Sequence, residues 1–255
     1  MLMQMENKPV CAANHEEACR RVASRFHPRW LQHYVGGKLR GDPVFRRAYH
    51  LLGDAPASIL DVGCGVGLLP FYLRERGVRQ RCIGVDFDGR KIRKARDVAA
   101  GNYADIEFLE QDAADVLPQS YGNVALFDVL HYLPPARQAI LLSEVAKRVA
   151  PGGMVLLRDC PRDASLRFWL TYLGEIVAQA ITWNAGVPLH FPQRETIMRA
   201  FNPREFSARE EPMWGNGPLN NRLYIFRRAV APAAGERNDS RASSVAAGQA
   251  RDNAD

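Results

Sequence analysis

The sequence predicts an α/β fold built on a doubly wound, mostly parallel sheet, and three observations carry that prediction. Strand-like apolar runs alternate with helical segments from residue 57 to residue 159, the pattern of parallel strands joined by crossover helices. The first run, Ile59-Leu60-Asp61-Val62, leads directly into Gly63-Cys64-Gly65-Val66-Gly67, a turn of alternating glycines that opens a helix at Leu68. The following runs end in the acids Asp86, Asp112 and Asp128, and in an open parallel sheet the carboxyl ends of the strands form the ligand crevice.

Taken in order, Glu16 to Tyr34 and Pro43 to Leu52 read as two leading helices. Strand 57–62, helix 67–76, strand 81–86, helix 88–100, strand 105–110, strand 123–128, helix 135–149 and strand 153–159 follow, each bounded by polar or glycine-containing turns. Ser165 to Trp183 forms an additional helix after the fifth strand, with a broad aromatic and aliphatic face that includes Phe168, Trp169, Leu173 and Trp183. An apolar stripe of this kind is the mark of a core-facing helix. Arg167, Glu175, Gln179 and Thr182 interrupt it, which argues against a transmembrane span.

At 255 residues and 47% hydrophobic, the chain is long enough for one sizeable core. From Val230 onward large apolar residues almost vanish, so 230–255 is expected to be a disordered tail; it carries net charge −1 and leaves about +7 on the rest. The expected organisation is a helical segment over 1–54, a ligand-binding domain over 55–229 with an insertion at about 163–200, and the tail. The five cysteines show neither metal-ligand spacing nor the density of a disulfide scaffold, so no metal is expected. A reducing compartment and, with no secretory leader at the N-terminus, a cytoplasmic location follow as expectations.

The glycine turn identifies the ligand class. A dinucleotide fingerprint, Gly-x-Gly-x-x-Gly, read from Gly63 would need a third glycine where Leu68 stands. Asp61, just ahead of the turn, would repel a pyrophosphate and attract an ammonium group. S-adenosylmethionine has an α-amino group, a sulfonium and a ribose but no phosphate, and it fits this turn better. Asp86 lies about twenty residues beyond the central glycine, where a carboxylate accepts from ribose hydroxyls. Asp112 ends the third run and is suited to accept the adenine amino proton. An acid at a strand end also commonly caps the next turn, and for Asp112 that reading stays open.

With these residues placed, the chain resembles the class I S-adenosylmethionine-dependent methyltransferases. The resemblance rests on Asp61 to Gly67, Asp86, Asp112, Phe127-Asp128 and Ala150-Pro151-Gly152-Gly153-Met154-Val155-Leu156, in family order. It spans roughly residues 55 to 160 and extends loosely to Arg228, where Gly217 to Phe226 looks like a closing hairpin strand. It implies a Rossmann-like, seven-stranded sheet, with Asp61, Gly63, Cys64, Gly65, Gly67, Asp86, Phe87, Asp112, Ala113 and Asp128 around S-adenosylmethionine. It also implies that the inserted helix is a lid presenting Trp169, Trp183 and the nearby His190 to a hydrophobic or aromatic acceptor. The run Asp128 to Pro135, Arg158-Asp159 and Asn220-Asn221 look similar to small methyltransferases encoded with polyketide or aryl-polyene pathways, a resemblance that points to secondary metabolism.

Methyl transfer from a sulfonium is an in-line displacement, so alignment and exclusion of water can supply most of the catalysis. A base is needed only if the acceptor must lose a proton. His131, just beyond the fourth strand, is the best candidate, with Tyr132 and His190 as weaker ones; a histidine there can equally serve only for packing. The basic residues of the leading helices and of Arg90 to Arg96 suit a small-molecule acceptor carried on an acidic acyl carrier protein better than a nucleic acid, because no nucleic-acid module accompanies them. A noncatalytic S-adenosylmethionine-binding scaffold, an RNA methyltransferase and a nicotinamide-dependent oxidoreductase are the rival readings.

Overall fold

The computed structural model describes residues 12–230 apart from 104, 120–121, 182–187 and 215–216, and only the backbone of 177–181. Trp183 and the tail beyond Val230 therefore lie outside the described residues.

The chain opens with helices α1 (His15–Ser24), α2 (Arg29–Gly41) and α3 (Pro43–Leu52). The continuous helix expected over Glu16 to Tyr34 is two helices, because Pro28 lacks the N–H that an interior turn needs and serves instead as the N-cap of α2. Asn14 caps α1 by accepting from the Glu17 amide, and Asp42 caps α3 by accepting from the Val44 amide, with Pro43 at the first helical position.

The sheet then assembles from β1 (Ile59–Val62), β2 (Cys82–Asp86), β3 (Ile106–Glu110), β4 (Asn123–Phe127), β5 (Met154–Asp159), β6 (Phe206–Pro212) and β7 (Arg222–Arg228). Its order is β3-β2-β1-β4-β5-β7-β6. The pairs among β1 to β5 are parallel, while β7 runs antiparallel to both β5 and β6. β1 is buried along its whole length, as a central parallel strand covered on both faces must be. Helices α4 (Leu68–Glu75), α5 (Gly89–Ala99), α6 (Pro135–Arg148), α7 (Leu166–Ile181) and α8 (Arg194–Arg199) complete the elements used here.

The closing strand begins at Arg222 rather than Gly217, and its hairpin partner β6 had no expectation in the sequence. Ser-Ala-Arg-Glu-Glu carries too few large apolar residues to read as a strand; pairing with β7 at the sheet edge makes it one. The strand order reverses at β1 and β4. Their carboxyl ends therefore flank the crevice where a ligand binds in such sheets.

Candidate cofactor and acceptor site

Gly63, Gly65 and Gly67 all adopt positive φ, at 73°, 57° and 84°, a region that side chains with a Cβ rarely enter. A Cβ on Gly63 would stand 2.1 Å from Val129 Cγ2, so the loop after β1 is pressed against the turn after β4. Above Gly65 a Cβ would meet nothing within 4 Å, which leaves the middle of the loop open to a ligand while both its ends are packed.

Asp61 lies beneath this loop and is only 4% exposed. Burial, reinforced by the neighbouring Asp86, pushes its carboxyl up to about 8. A buried acid of this kind suits a cationic partner arriving with the ligand, and the α-ammonium of S-adenosylmethionine fits it. Cys64 is buried and apolar in character, its thiol pushed up by burial and by Asp61.

Asp86, at the end of β2, accepts from the Gly65 amide through Oδ2 and from the Asp88 amide through Oδ1, each at 2.9 Å. It thus shapes the glycine loop from the strand end where the sequence led us to expect a ribose partner. Phe87 follows it, 62% exposed, an open face beside the crevice. Asp112 caps its own turn by accepting from the Ala114 amide at 3.0 Å and pairs with Arg137 at 3.1 Å. The capping alternative therefore describes its contacts, while Asp112 and Ala113 still lie just beyond the end of β3, on the ligand side.

Asp128 has φ 57°, a left-handed conformation that Asp tolerates better than most residues. Its carboxylate is taken up by Arg158, whose Nε donates to Oδ1 at 2.9 Å. Arg158 is 2% exposed and also donates to Asp42 Oδ2 at 2.6 Å, and Lys38 adds an ion pair to Asp42 at 3.0 Å. The four charges bind α2 and α3 to the carboxyl ends of β4 and β5. Sequence reasoning missed Lys38 and Asp42, because Asp128 and Arg158, the partners that tie them to the sheet, lie about ninety residues or more away in the chain.

His131 sits in the short 3-10 turn Leu130–Tyr132 and is 3% exposed. Its Nδ1 lies 2.9 Å from Asp159 Oδ1 at the end of β5. Burial works against the protonated imidazole, but Asp159 and the more distant Glu175 outweigh it and push its pKa up to about 9. Phe191 stacks on the ring at 5.4 Å, and the His190 amide donates to the His131 carbonyl at 2.7 Å, so the His190 loop is held against this turn. Tyr132 lies against the imidazole at 4.1 Å, and Phe168 and Tyr172 reach the cluster through Phe191. Trp169, expected to face the acceptor, is 59% exposed and packs edge-on against Phe168 and Tyr172. Asn220 anchors α7: its amide donates to Thr171 Oγ1 and its side chain to Asp163, both at 2.8 Å.

Among the described residues no group of three or more His, Cys, Asp or Glu is placed to hold a metal ion, and no helix is long and apolar enough to cross a membrane.

Residues 59–153 match the model of a methyltransferase domain. The chain is 27% identical over 133 residues to a ubiquinone biosynthesis O-methyltransferase of Idiomarina loihiensis, covering 52% of each chain. It is 36% identical over 108 residues to a malonyl-[acyl-carrier protein] O-methyltransferase of Salmonella typhimurium, covering 41% of this chain and 39% of that one. It thus spans about half or less of the length of these curated relatives. Among solved structures, magnesium protoporphyrin IX methyltransferase from Synechocystis PCC 6803 with bound S-adenosylhomocysteine superposes with a TM-score of 0.58 at 19% identity, over 83% of this chain and 93% of that one. That likeness establishes the fold: a seven-stranded, Rossmann-like sheet.

Proposed function

Since the chain belongs to the class I S-adenosylmethionine-dependent methyltransferase superfamily, we propose that it transfers a methyl group from that cofactor to a small aromatic or acyl-type acceptor, at oxygen or carbon. The observation that best supports this reading is the packing of the Asp61–Gly67 loop against the turn that carries His131, with Gly63 and Val129 in direct apposition. The glycine loop and the turn that carries His131 thereby stand side by side at the carboxyl ends of the central strands β1 and β4. When bound, the cofactor supplies a methyl group on a positively charged sulfur. Asp61 holds its ammonium, the Gly63–Gly67 backbone its methionine end, Asp86 its ribose, and Phe87, Asp112 and Ala113 its adenine side. His131 and Tyr132 border the acceptor and orient it for attack from behind, with Trp169, Trp183 and His190 as the remaining acceptor-side candidates. Alignment of this kind removes several kcal/mol from a bimolecular barrier.

Both curated relatives above are O-methyltransferases by name, and one acts on a malonyl group attached to acyl carrier protein. An acceptor presented on such a carrier is also supported by α5, which starts beside the crevice and exposes Arg90, Arg93 and Arg96.

Calorimetric titration with S-adenosylmethionine, S-adenosylhomocysteine and NADH tests the reading. Micromolar binding of the first two and none of NADH is expected; binding of NADH alone would overturn it. Asp86→Ala is expected to weaken S-adenosylhomocysteine binding by about 1–3 kcal/mol, the worth of hydrogen bonds to a charged group. Unchanged affinity removes Asp86 from the site.

A further inference from the structure

Glu175 is the only acid in α7, and its carboxylate reaches the turn after β4. The Tyr132 hydroxyl donates to Glu175 Oε2 at 3.2 Å, and the same oxygen lies 3.9 Å from His131 Nε2. Opposite it, Asp159 is completely buried and fixed by the backbone: Oδ2 accepts from the Leu130 amide at 3.0 Å and Oδ1 from the Cys160 amide at 2.8 Å. His131 Nε2 is buried and makes no hydrogen bond among the described residues. One carboxylate is therefore built into the sheet, and the other arrives on the helix inserted after β5.

We propose that Glu175 is a positioning residue of the acceptor site: it shares His131 with Asp159, so that the seating of α7 against the β4 turn decides whether the imidazole carries its second proton. The proposal rests on the methyltransferase reading only in taking the Nε2 face of the ring as the acceptor side. With α7 seated, Nδ1–H points to Asp159 and Nε2–H toward Glu175, and the ring cannot take up another proton. An acceptor hydroxyl entering at Nε2 displaces Glu175, and the Nε2 proton leaves to Glu175 or to solvent. The free lone pair then receives the hydroxyl proton as the oxygen–methyl bond forms and the sulfur–methyl bond of S-adenosylmethionine breaks, while Asp159 keeps the ring in register. Among the described residues the charged or titratable groups around His131 are Asp159 from β5, Glu175 from α7, Asp128 from the end of β4 and already paired with Arg158, and the phenol of Tyr132 from its own turn. Gln138 of α6 donates only to backbone carbonyls of the neighbouring turn and of His190.

The test needs no acceptor. Proton–carbon NMR titration of the six histidines in the full chain, with His131 assigned by its loss in His131→Gln, reads the midpoint directly. The wild-type midpoint is expected well above that of a free imidazole, and Glu175→Gln is expected to lower it by about one pH unit, as removal of one carboxylate at this distance should. Glu175→Asp, which keeps the charge but shortens its reach, is expected to fall between the two and guards against misfolding of the first variant. An unchanged midpoint in folded Glu175→Gln overturns the proposal, since a carboxylate that merely packs or faces solvent would not move it. Titration of the same wild-type sample with S-adenosylhomocysteine reports separately on the methyltransferase reading, because its failure leaves the imidazole midpoint untouched.

Discussion

Arg158→Met is expected to destabilise the protein by about 3–5 kcal/mol, the usual consequence of removing one partner from a buried ion network. The guanidinium is 2% exposed and faces two carboxylates, Asp42 and Asp128, of which Asp42 is itself largely buried. Methionine fills the volume but leaves those acids with Lys38 as their one described cationic partner, 3.0 Å from Asp42 and 3.9 Å from Asp128. Burial opposes the ionised form of Asp42, yet Arg158 and Lys38 overcome it and hold its carboxyl below the ordinary carboxylate range. A depressed acid stabilises the fold above its unfolded pKa of about 4, and that contribution disappears as pH falls toward the folded value. The variant should therefore lose its largest margin at neutral pH and differ less from wild type in acid. Urea unfolding at pH 7 and pH 3 checks this. A loss below about 1 kcal/mol at pH 7, the range of exposed ion pairs, would mean that water already solvates the network. Because Asp42 caps α3 and Arg158 lies near the carboxyl end of β5, detachment of the leading helices from the sheet is the expected structural outcome.

Asp61→Asn is expected to act with opposite signs on binding and on stability. The ammonium of S-adenosylhomocysteine loses its charged partner, which should cost about 1.5–3 kcal/mol of affinity, or ten- to a hundredfold. The unliganded protein should become more stable at neutral pH. The folded carboxyl, near 8, lies above its ordinary value, so between about pH 4 and pH 8 the unfolded chain gives up a proton that the folded chain retains. Its contribution to stability therefore falls as pH rises through that window, by at most about 1.4 kcal/mol per pH unit. Asparagine carries no such proton. For the wild type, ammonium binding requires the ionised acid, so S-adenosylhomocysteine affinity should rise from pH 6 to pH 8 with release of a proton. Calorimetry in buffers of different ionisation enthalpy measures that release. Binding by Asp61→Asn equal to wild type, with no proton linkage in either protein, would show that the acid holds something other than the ammonium.

Much of this was legible in the chain, for local reasons. The glycine turn announces itself because three alternating glycines after an apolar run have few uses other than a backbone of positive φ, and all three have it. Asp86 was legible because strand length and crossover length set its spacing from the loop. The edge strand β6 was not, since an exposed strand needs no apolar alternation and gains its conformation from β7. Pro28 did mark a helix boundary, but the apolar period ran through it and the break was missed.

The acceptor side divides along the same line. His131 could be singled out by its place after the fourth strand, whereas its protonation depends on Asp159 and Glu175, which stand 28 and 44 positions away in the chain. Likewise Trp169 belongs to an apolar stripe, and how much of a stripe is covered depends on what packs against it; here Phe168 is buried against Phe191, while Trp169 touches Phe168 and Tyr172 and keeps 59% of its surface exposed. By itself, the sequence determined the sheet class, the glycine turn of positive φ and the acids at the strand ends, because dihedral preference and periodicity act over a few residues. Only the tertiary structure decided which carboxylates share an arginine or a histidine. Charge interactions act through space, and folding alone brings those partners within reach.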